Sequence, residues 1–448
     1  MRLAPFAPRL VRTLLCAAVL AGCREPEPLN VLVVMLDTLR ADHVGAYGYP
    51  RPTTPNLDAL AARSHLFESA RSQSSCTFPS VNSLLTSRYP ADFLAQPGGS
   101  FGIPEGVPTL AEMLAERGWQ TAAVSASPIV RATPGHHNPH GGFGRGFATF
   151  DEHCEWRHAR CVTNMALSTI GRLQEPFFAY LHYLDPHDPY RPPEELGARF
   201  TTGEVPWEWV MRGDPNPIAA MLYKQAPAVE YDARAIRHLE GLYDGEIAFL
   251  DSHLGRLFET LEREGRLERT VVVVLSDHGE SFLEHGHVKH CRTLYDAEIR
   301  TPLLVRLPRQ IDGVRHGGSV QHVDVVPTLL DLLGVEPKNA ELEGRSLVPL
   351  FEGEPLPEAL AYATIDSLRS VTDGRSKLIV DLREGTRAMY DLADDPGERR
   401  DVIRDARSAA ALRRLRAELR GWIARTEGEA GLGLSEEAQQ RLQALGYL

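Results

Sequence analysis

The chain has 448 residues, 43% of them hydrophobic and 24% charged, a balance that supports a large folded core and excludes a disordered or fibrous protein. Its formal net charge of −12 argues against nucleic acid or an anionic membrane surface as a general partner, because both demand basic patches. An anionic small molecule would have to be drawn in locally, by a metal ion or by clustered His, Lys and Arg.

In chain order, the first segment reads as an export signal. Arg2, Arg9 and Arg12 make a positive start, Leu14 to Leu20 form an apolar run short for a bilayer span, and Leu20-Ala21-Gly22 lead into Cys23. Leu-Ala-Gly-Cys in this position resembles the lipobox of bacterial lipoproteins. That implies removal of residues 1–22, lipidation of Cys23, and an exported chain anchored to a membrane on its periplasmic or outer face. A cleaved signal without lipid and a short membrane anchor are the other readings. No later segment is apolar enough to cross a membrane.

Asn30 to Leu36 is a continuous apolar run too short for a helix, the pattern of a strand buried on both faces. Helix starts follow at Thr54-Pro55, a cap before a first-turn proline, and at Thr109 to Glu112, a capping-box match. Further strand-like runs are Thr121 to Ala126, Phe177 to Leu184, Thr270 to Leu275 and Pro302 to Leu307. Amphipathic stretches, clearest over Ala235 to Gly265 and Val325 to Leu333, alternate with them. The alternation predicts an α/β sandwich on a mostly parallel sheet, with its site at the carboxyl ends of strands. Residues 23–353 are therefore read as one large α/β unit. Residues 354–403, with strand patterns at Arg375 to Leu382 and Arg387 to Leu392, are read as a smaller antiparallel sheet, and residues 404–448 as a helical tail.

Six cysteines are present, and Cys16 and Cys23 belong to the leader. Export permits a disulfide between Cys154 and Cys161 without fixing the pairing. Neither remaining pair has the spacing of a structural zinc knuckle.

Four clusters carry chemistry. Asp37-Thr38-Leu39-Arg40 follows the first strand directly; alone, such an Asp reads as a helix cap. Ser276-Asp277-His278-Gly279-Glu280 follows another apolar strand, where an adjacent Asp and His can turn toward a divalent metal while Gly eases the turn. His285-Gly286-His287-Val288-Lys289-His290 could hold a second metal or an anion. His182 to Pro189 ends a further strand: His182 lies within the apolar run and reads as a core histidine, whereas His187 lies past it and reads as a site residue.

These clusters, in this order, resemble the sulfatase family within the alkaline phosphatase superfamily, and the likeness covers most of the chain after the leader. Asn30 to Tyr49 looks like the first strand and metal loop, Ser75 to Thr86 like the nucleophile loop and helix, and Asp185 to Tyr190 and Ser276 to Pro302 like two further hallmarks. Lys377-Leu378-Ile379 and Met389 to Leu392 are similar to the C-terminal subdomain. The resemblance implies an alkaline-phosphatase/sulfatase-like sandwich that hydrolyses an anionic sulfate or phosphate ester with one or two divalent ions (calcium, zinc or manganese). Asp37, Thr77, Asp277 and His278 would hold metal. His187, His285 and His290 would act in catalysis with Thr77, and His287 and Lys289 would bind substrate.

The nucleophile loop departs from the family pattern. Sulfatases carry a Cys or Ser that is oxidised to formylglycine; aligning Pro79-Ser80 places Thr77 there and Cys76 one residue early. Threonine cannot become formylglycine, but its hydroxyl can serve directly as an activated nucleophile. A phosphorylated Thr can be released by a second attack at phosphorus, so phosphoester cleavage or transfer is the expectation. The alternative is a sulfuric ester hydrolase, using unmodified Thr77 or a formylglycine at Cys76, and a further one is an inactive glycan-binding member. The family's second acid at the first metal loop is Thr38 here, and its usual substrate-binding Lys is His290 with Lys289 beside it.

Overall fold

The computed structural model describes residues 28–91, 102–156, 158–201, 233–337 and 340–426. Residues 1–27 with Cys23, residues 202–232 and residues 427–448 lie outside the described residues.

An eight-stranded sheet organises the larger part. Its order is β10 (Val314–Gln321), β2 (His65–Arg71), β9 (Leu303–Arg306), β6 (Thr270–Ser276), β1 (Asn30–Leu36), β5 (Phe177–Tyr183), β3 (Gln120–Ser125) and β4 (Thr149–Asp151). All pairings are parallel except those of β9, which runs against β2 and β6. The mostly parallel sheet predicted from alternating strand and helix patterns is thus present. The central strands β1, β5 and β6 are buried along their whole length, as their unbroken apolar runs require.

The helices are α1 (Pro55–Ala61), α2 (Thr77–Thr86), α3 (Leu110–Ala115), α4 (Ala159–Ile170), α5 (Glu194–Phe200), α6 (Ala233–Arg263), α7 (Val325–Leu333) and α8 (Ala409–Thr426), with short helical turns between some of them. Side chains alternate across a strand, and β1 shows how that splits the core. Leu32, Val34 and Leu36 pack with Leu57, Val162, Leu250 and Leu254 from α1, α4 and α6. Val31, Val33 and Met35 pack on the opposite face with Val81, Leu84, Leu114 and Leu329 from α2, α3 and α7. Thr109 caps α3 through the expected box: its hydroxyl accepts from the Glu112 backbone at 3.1 Å, and Glu112 accepts from the Thr109 backbone at 2.9 Å.

Three strands of this sheet escaped the periodicity reading, among them the three-residue edge strand β4. β2 mixes His, Glu, Ser and Arg with apolar residues, and β10 is an edge strand with a register shift between His316 and Ser319, across Gly317-Gly318. Edge strands need no continuous apolar run.

The smaller sheet is antiparallel, in the order β11 (Ala361–Ile365), β12 (Leu368–Thr372), β13 (Ser376–Asp381) and β14 (Thr386–Asp391). Helix α8 covers it, burying Leu415, Leu419 and Trp422 against Val371, Leu378 and Met389. Among the described residues no helix is long and apolar enough to cross a membrane.

Candidate metal centre and nucleophile

The site assembles because β1, β5 and β6 are adjacent and in step. Leu36 pairs with both Tyr183 and Ser276, so the residues that follow emerge side by side at one sheet end. Asp37, Asp277 and His278 meet there, fully buried, with ligand atoms within 4.8 Å of one another. Thr38 N–H donates to Asp277 Oδ1 at 3.1 Å. Thr38 takes a positive φ of 59°, an uncommon conformation for a β-branched residue, and Tyr243 fixes it by donating to its carbonyl at 2.7 Å.

Gly279 serves a different purpose from the turn expected of it. Its φ is not positive; a Cβ there would lie 2.1 Å from the Ala297 carbonyl oxygen, so close backbone approach requires glycine.

His182 also corrects the sequence reading. It is buried within β5, yet it is more than a core histidine: Nε2–H donates to Asp37 Oδ2 at 3.1 Å, and Tyr180 O–H donates to its Nδ1 at 2.9 Å. Asp37 is thereby aimed, and its other oxygen, Oδ1, has no hydrogen-bond partner. Asp277 Oδ2 is likewise buried and unpartnered. Burial and the neighbouring Asp277 carboxylate push the Asp37 carboxyl up to about 8. Burial would raise Asp277 too, but His278, His182 and two backbone N–H donors hold it low. Two orphaned carboxylate oxygens beside an imidazole nitrogen fit a divalent cation, which would supply the missing positive charge.

Thr77 begins α2, and its hydroxyl lies 3.1 Å from His278 Nε2. Ser80, one turn on, donates to the Asp277 carbonyl at 2.5 Å, tying the helix to the metal loop. The second tie was not anticipated: Cys76 is disulfide-bonded to Cys291, and Cys291 N–H donates to the Ser75 carbonyl at 2.8 Å. This pairing commits the Cys76 sulfur and removes the thiol that formylglycine formation at that position would need. No spacing rule links two cysteines 215 residues apart. The Cys154–Cys161 disulfide is also formed.

A second group lies alongside. His187, Asp188 and His290 also offer ligand atoms within 4.8 Å of one another, and the His290 ring sits 4.6 Å from that of His278 and 4.9 Å from that of His187. All three imidazoles have Nδ1 tied: His278 to the Gly279 carbonyl at 2.9 Å, His187 to the Asp188 carbonyl at 2.6 Å, and His290 to Glu280 Oε1 at 2.9 Å. With Nδ1 tied, Nε2 is the nitrogen each ring can offer to a metal or anion, and in His278 that Nε2 faces the Thr77 hydroxyl. Burial pushes His290 down to about 4, so its ring is neutral at physiological pH. Glu280 accepts a further bond from Tyr190 O–H at 2.7 Å, and burial with nearby Asp188 pushes it up to about 7. Lys289 Nζ sits 3.2 Å from Asp188 Oδ2.

Asp37, Thr77, Asp277, His278, His187 and His290 therefore converge. His285 does not join them; it stacks on Tyr295 with ring centroids 3.5 Å apart, in a pocket shared with Arg40, Glu284 and Asp296. His287 is exposed on the turn between β7 (Ser281–Phe282) and β8 (Val288–Lys289). Asp188 and Glu280 join the site although the sequence pattern assigns them no role; the available signal was proximity, one residue from His187 and two from His278.

Fold and site together define an α/β ester hydrolase of the alkaline phosphatase superfamily type. The sulfatase family model matches residues 29–335, and that of the N-sulphoglucosamine sulphohydrolase C-terminal region matches residues 283–425. The chain belongs to the sulfatase family and is a sulfatase-family hydrolase, and members of that family use divalent metal ions. It is 26% identical over 366 residues to arylsulfatase A of Bos taurus, covering 76% of this chain and 71% of the relative. With the delta 4,5-hexuronate-2-O-sulfatase of Bacteroides thetaiotaomicron it shares 23% identity over 477 residues, 95% of each chain. The structure of phosphonate monoester hydrolase from Agrobacterium radiobacter superimposes with a TM-score of 0.72 at 22% identity, covering 89% of this chain and 96% of that one.

Proposed function

We propose that the chain cleaves or transfers an anionic phosphoester, with Thr77 as nucleophile. The observation that carries this reading is the Thr77 hydroxyl 3.1 Å from His278 Nε2, beside a Cys76 whose sulfur is bonded to Cys291. Asp37, Asp277 and His278 would hold a divalent ion, and His187, Asp188 and His290 a second ion or the anionic group. Such an ion, when bound, neutralises charge and lowers the pKa of a nearby hydroxyl. The Thr77 hydroxyl gives its proton to water, its oxygen bonds to phosphorus and the P–O ester bond breaks, the departing oxygen taking a proton from water to leave as the alcohol. Water then attacks the phosphothreonine, the Thr77 Oγ–P bond breaks, inorganic phosphate leaves and the threonine oxygen regains a proton. Lys289, His187 and His290 face the anion.

A second reading has specific support. Both relatives named by sequence are sulfatases, one of them a hexuronate-2-O-sulfatase, which favours sulfuric esters over phosphoesters. The side chain at position 77 is what favours phosphorus. Matched aryl sulfates, phosphate mono- and diesters and phosphonate monoesters, assayed with added zinc, manganese or calcium, separate the two. Turnover of phosphorus esters at least about a hundredfold above sulfates, lost in Thr77→Ala, is the expected result. Preference for sulfates establishes the second reading.

Export and lipid anchoring at Cys23 belong to the same proposal, supported by the Leu20-Ala21-Gly22-Cys23 pattern. Radiolabelled palmitate should enter the chain in a bacterial host and fail to enter Cys23→Ser; equal labelling of both rejects the anchor.

A further inference from the structure

We infer that His158, Asp185 and Glu246 form a further divalent-cation site, separate from the catalytic group and suited to zinc or manganese. The three come from different elements: His158 caps α4, Asp185 lies in the loop after β5, and Glu246 projects from α6. Their ligand atoms lie within 4.8 Å of one another. His158 Nδ1 is 3.3 Å from Asp185 Oδ1. Glu246 Oε1 accepts from the Arg191 backbone at 2.6 Å.

The second carboxylate oxygens make the case. Asp185 is 4% exposed and Glu246 3%, and Asp185 Oδ2 and Glu246 Oε2 are buried with no donor partner, the two carboxyls lying within hydrogen-bond reach of each other. A buried carboxylate oxygen left unpaired carries a desolvation penalty, and two facing each other add repulsion. In the ion's absence a proton relieves this, since burial and Asp185 push the Glu246 carboxyl up to about 8. A dication relieves it more fully, because it satisfies both oxygens at once. The His158 side chain is 58% exposed and gives a route in from solvent. Two carboxylates with one imidazole suit zinc or manganese better than calcium, which prefers oxygen throughout.

Asp185 stands two residues before His187. An ion here would pin the loop that presents His187 and Asp188, linking α4 and α6 to the catalytic group.

The test counts ions rather than turnover. Full-length protein is stripped with chelator, dialysed against zinc or manganese, and its bound metal measured by elemental mass spectrometry. Glu246→Gln, nearly isosteric, should bind one equivalent fewer than the parent, and a variant carrying both Asp277→Asn and Glu246→Gln should bind fewer than either single variant. In the Asp277→Asn background, added zinc should raise the melting temperature, and Glu246→Gln should abolish that rise. If Asp185 and Glu246 merely share a proton, folded Glu246→Gln retains the parent's metal count and melting shift, and the site is overturned. Should Glu246→Gln fail to fold, His158→Ala, at the surface, decides by the same two measurements.

Discussion

His182 shows how much a single buried contact can govern. Its Nε2–H holds Asp37 Oδ2, leaving Oδ1 to face Asp277 and His278. Replacing such an orienting partner typically lowers metal affinity about 10–100-fold. His182→Ala should therefore weaken zinc or manganese binding by that factor, measured by competition with a metal-sensitive dye, while the circular dichroism spectrum is unchanged. Thr77→Ala should do the reverse: turnover should fall at least about a thousandfold, as for loss of a nucleophile, with the metal count retained. A third residue reports on pH. Burial pushes His322 down to about 4, whereas an unfolded histidine titrates near 6.5. Below that value the unfolded chain takes up a proton that the folded chain refuses. The stability His322 confers is complete above about pH 6.5 and is lost as pH falls toward 4, by about 3 kcal/mol. In urea titrations at successive pH values, His322→Gln should show a shallower decline across that window.

At the scale of elements, the nucleophile helix depends on its two ties. Ser80 fastens α2 to the Asp277 carbonyl, and Cys76–Cys291 fastens the residue just before the helix to the segment carrying His290. Lys289 and Cys291, on either side of His290, both take positive φ, 70° and 65°, so this segment is held against its local preference. A double Cys76→Ser, Cys291→Ser variant should lose about 2–4 kcal/mol of stability, the usual worth of a disulfide. It should also lose kcat beyond what the folded fraction explains, and mild reduction of the parent should reproduce both effects. A kcat unchanged after correction for folded protein would confine the disulfide to a stabilising role.

At the scale of the whole molecule, the two sheets are joined through buried charge. Lys377 of β13 is fully buried, with Nζ 2.7 Å from Asp296 and 2.9 Å from Glu398, while Arg71 of β2 reaches Asp296 at 2.7 Å. Arg71 and Lys377 draw the Asp296 carboxyl well below the usual range despite its burial. Removing one cation from such a network leaves buried negative charge uncompensated. Lys377→Met should accordingly destabilise the chain by about 3–5 kcal/mol, read from the urea midpoint. The pocket lined by Arg40, His285, Asp296 and Glu398 lies at this junction, so changes here should also reach Arg40, which bonds the Glu280 carbonyl at 2.9 Å.

The residue pattern alone determined the layered fold, because strands buried on both faces must be apolar throughout and α6 and α7 must carry an apolar stripe. It also pointed to Asp277-His278 just past a buried strand, whereas Asp37, a helix cap by its own pattern, entered the ligand set through the family resemblance; parallel strands bring the ends of β1 and β6 together. What neighbours in space contribute was not legible. The His182 contact to Asp37 spans 145 residues, the Cys76–Cys291 bond 215, and His158, Asp185 and Glu246 lie on three separate elements. His285 and His290 looked equivalent in a histidine-rich run, yet one stacks on Tyr295 and the other faces His278. Sequence spacing specifies what is close along a strand or helix. Which side chains meet across the sheet end depends on strand order and register, and those exist only once the chain has folded.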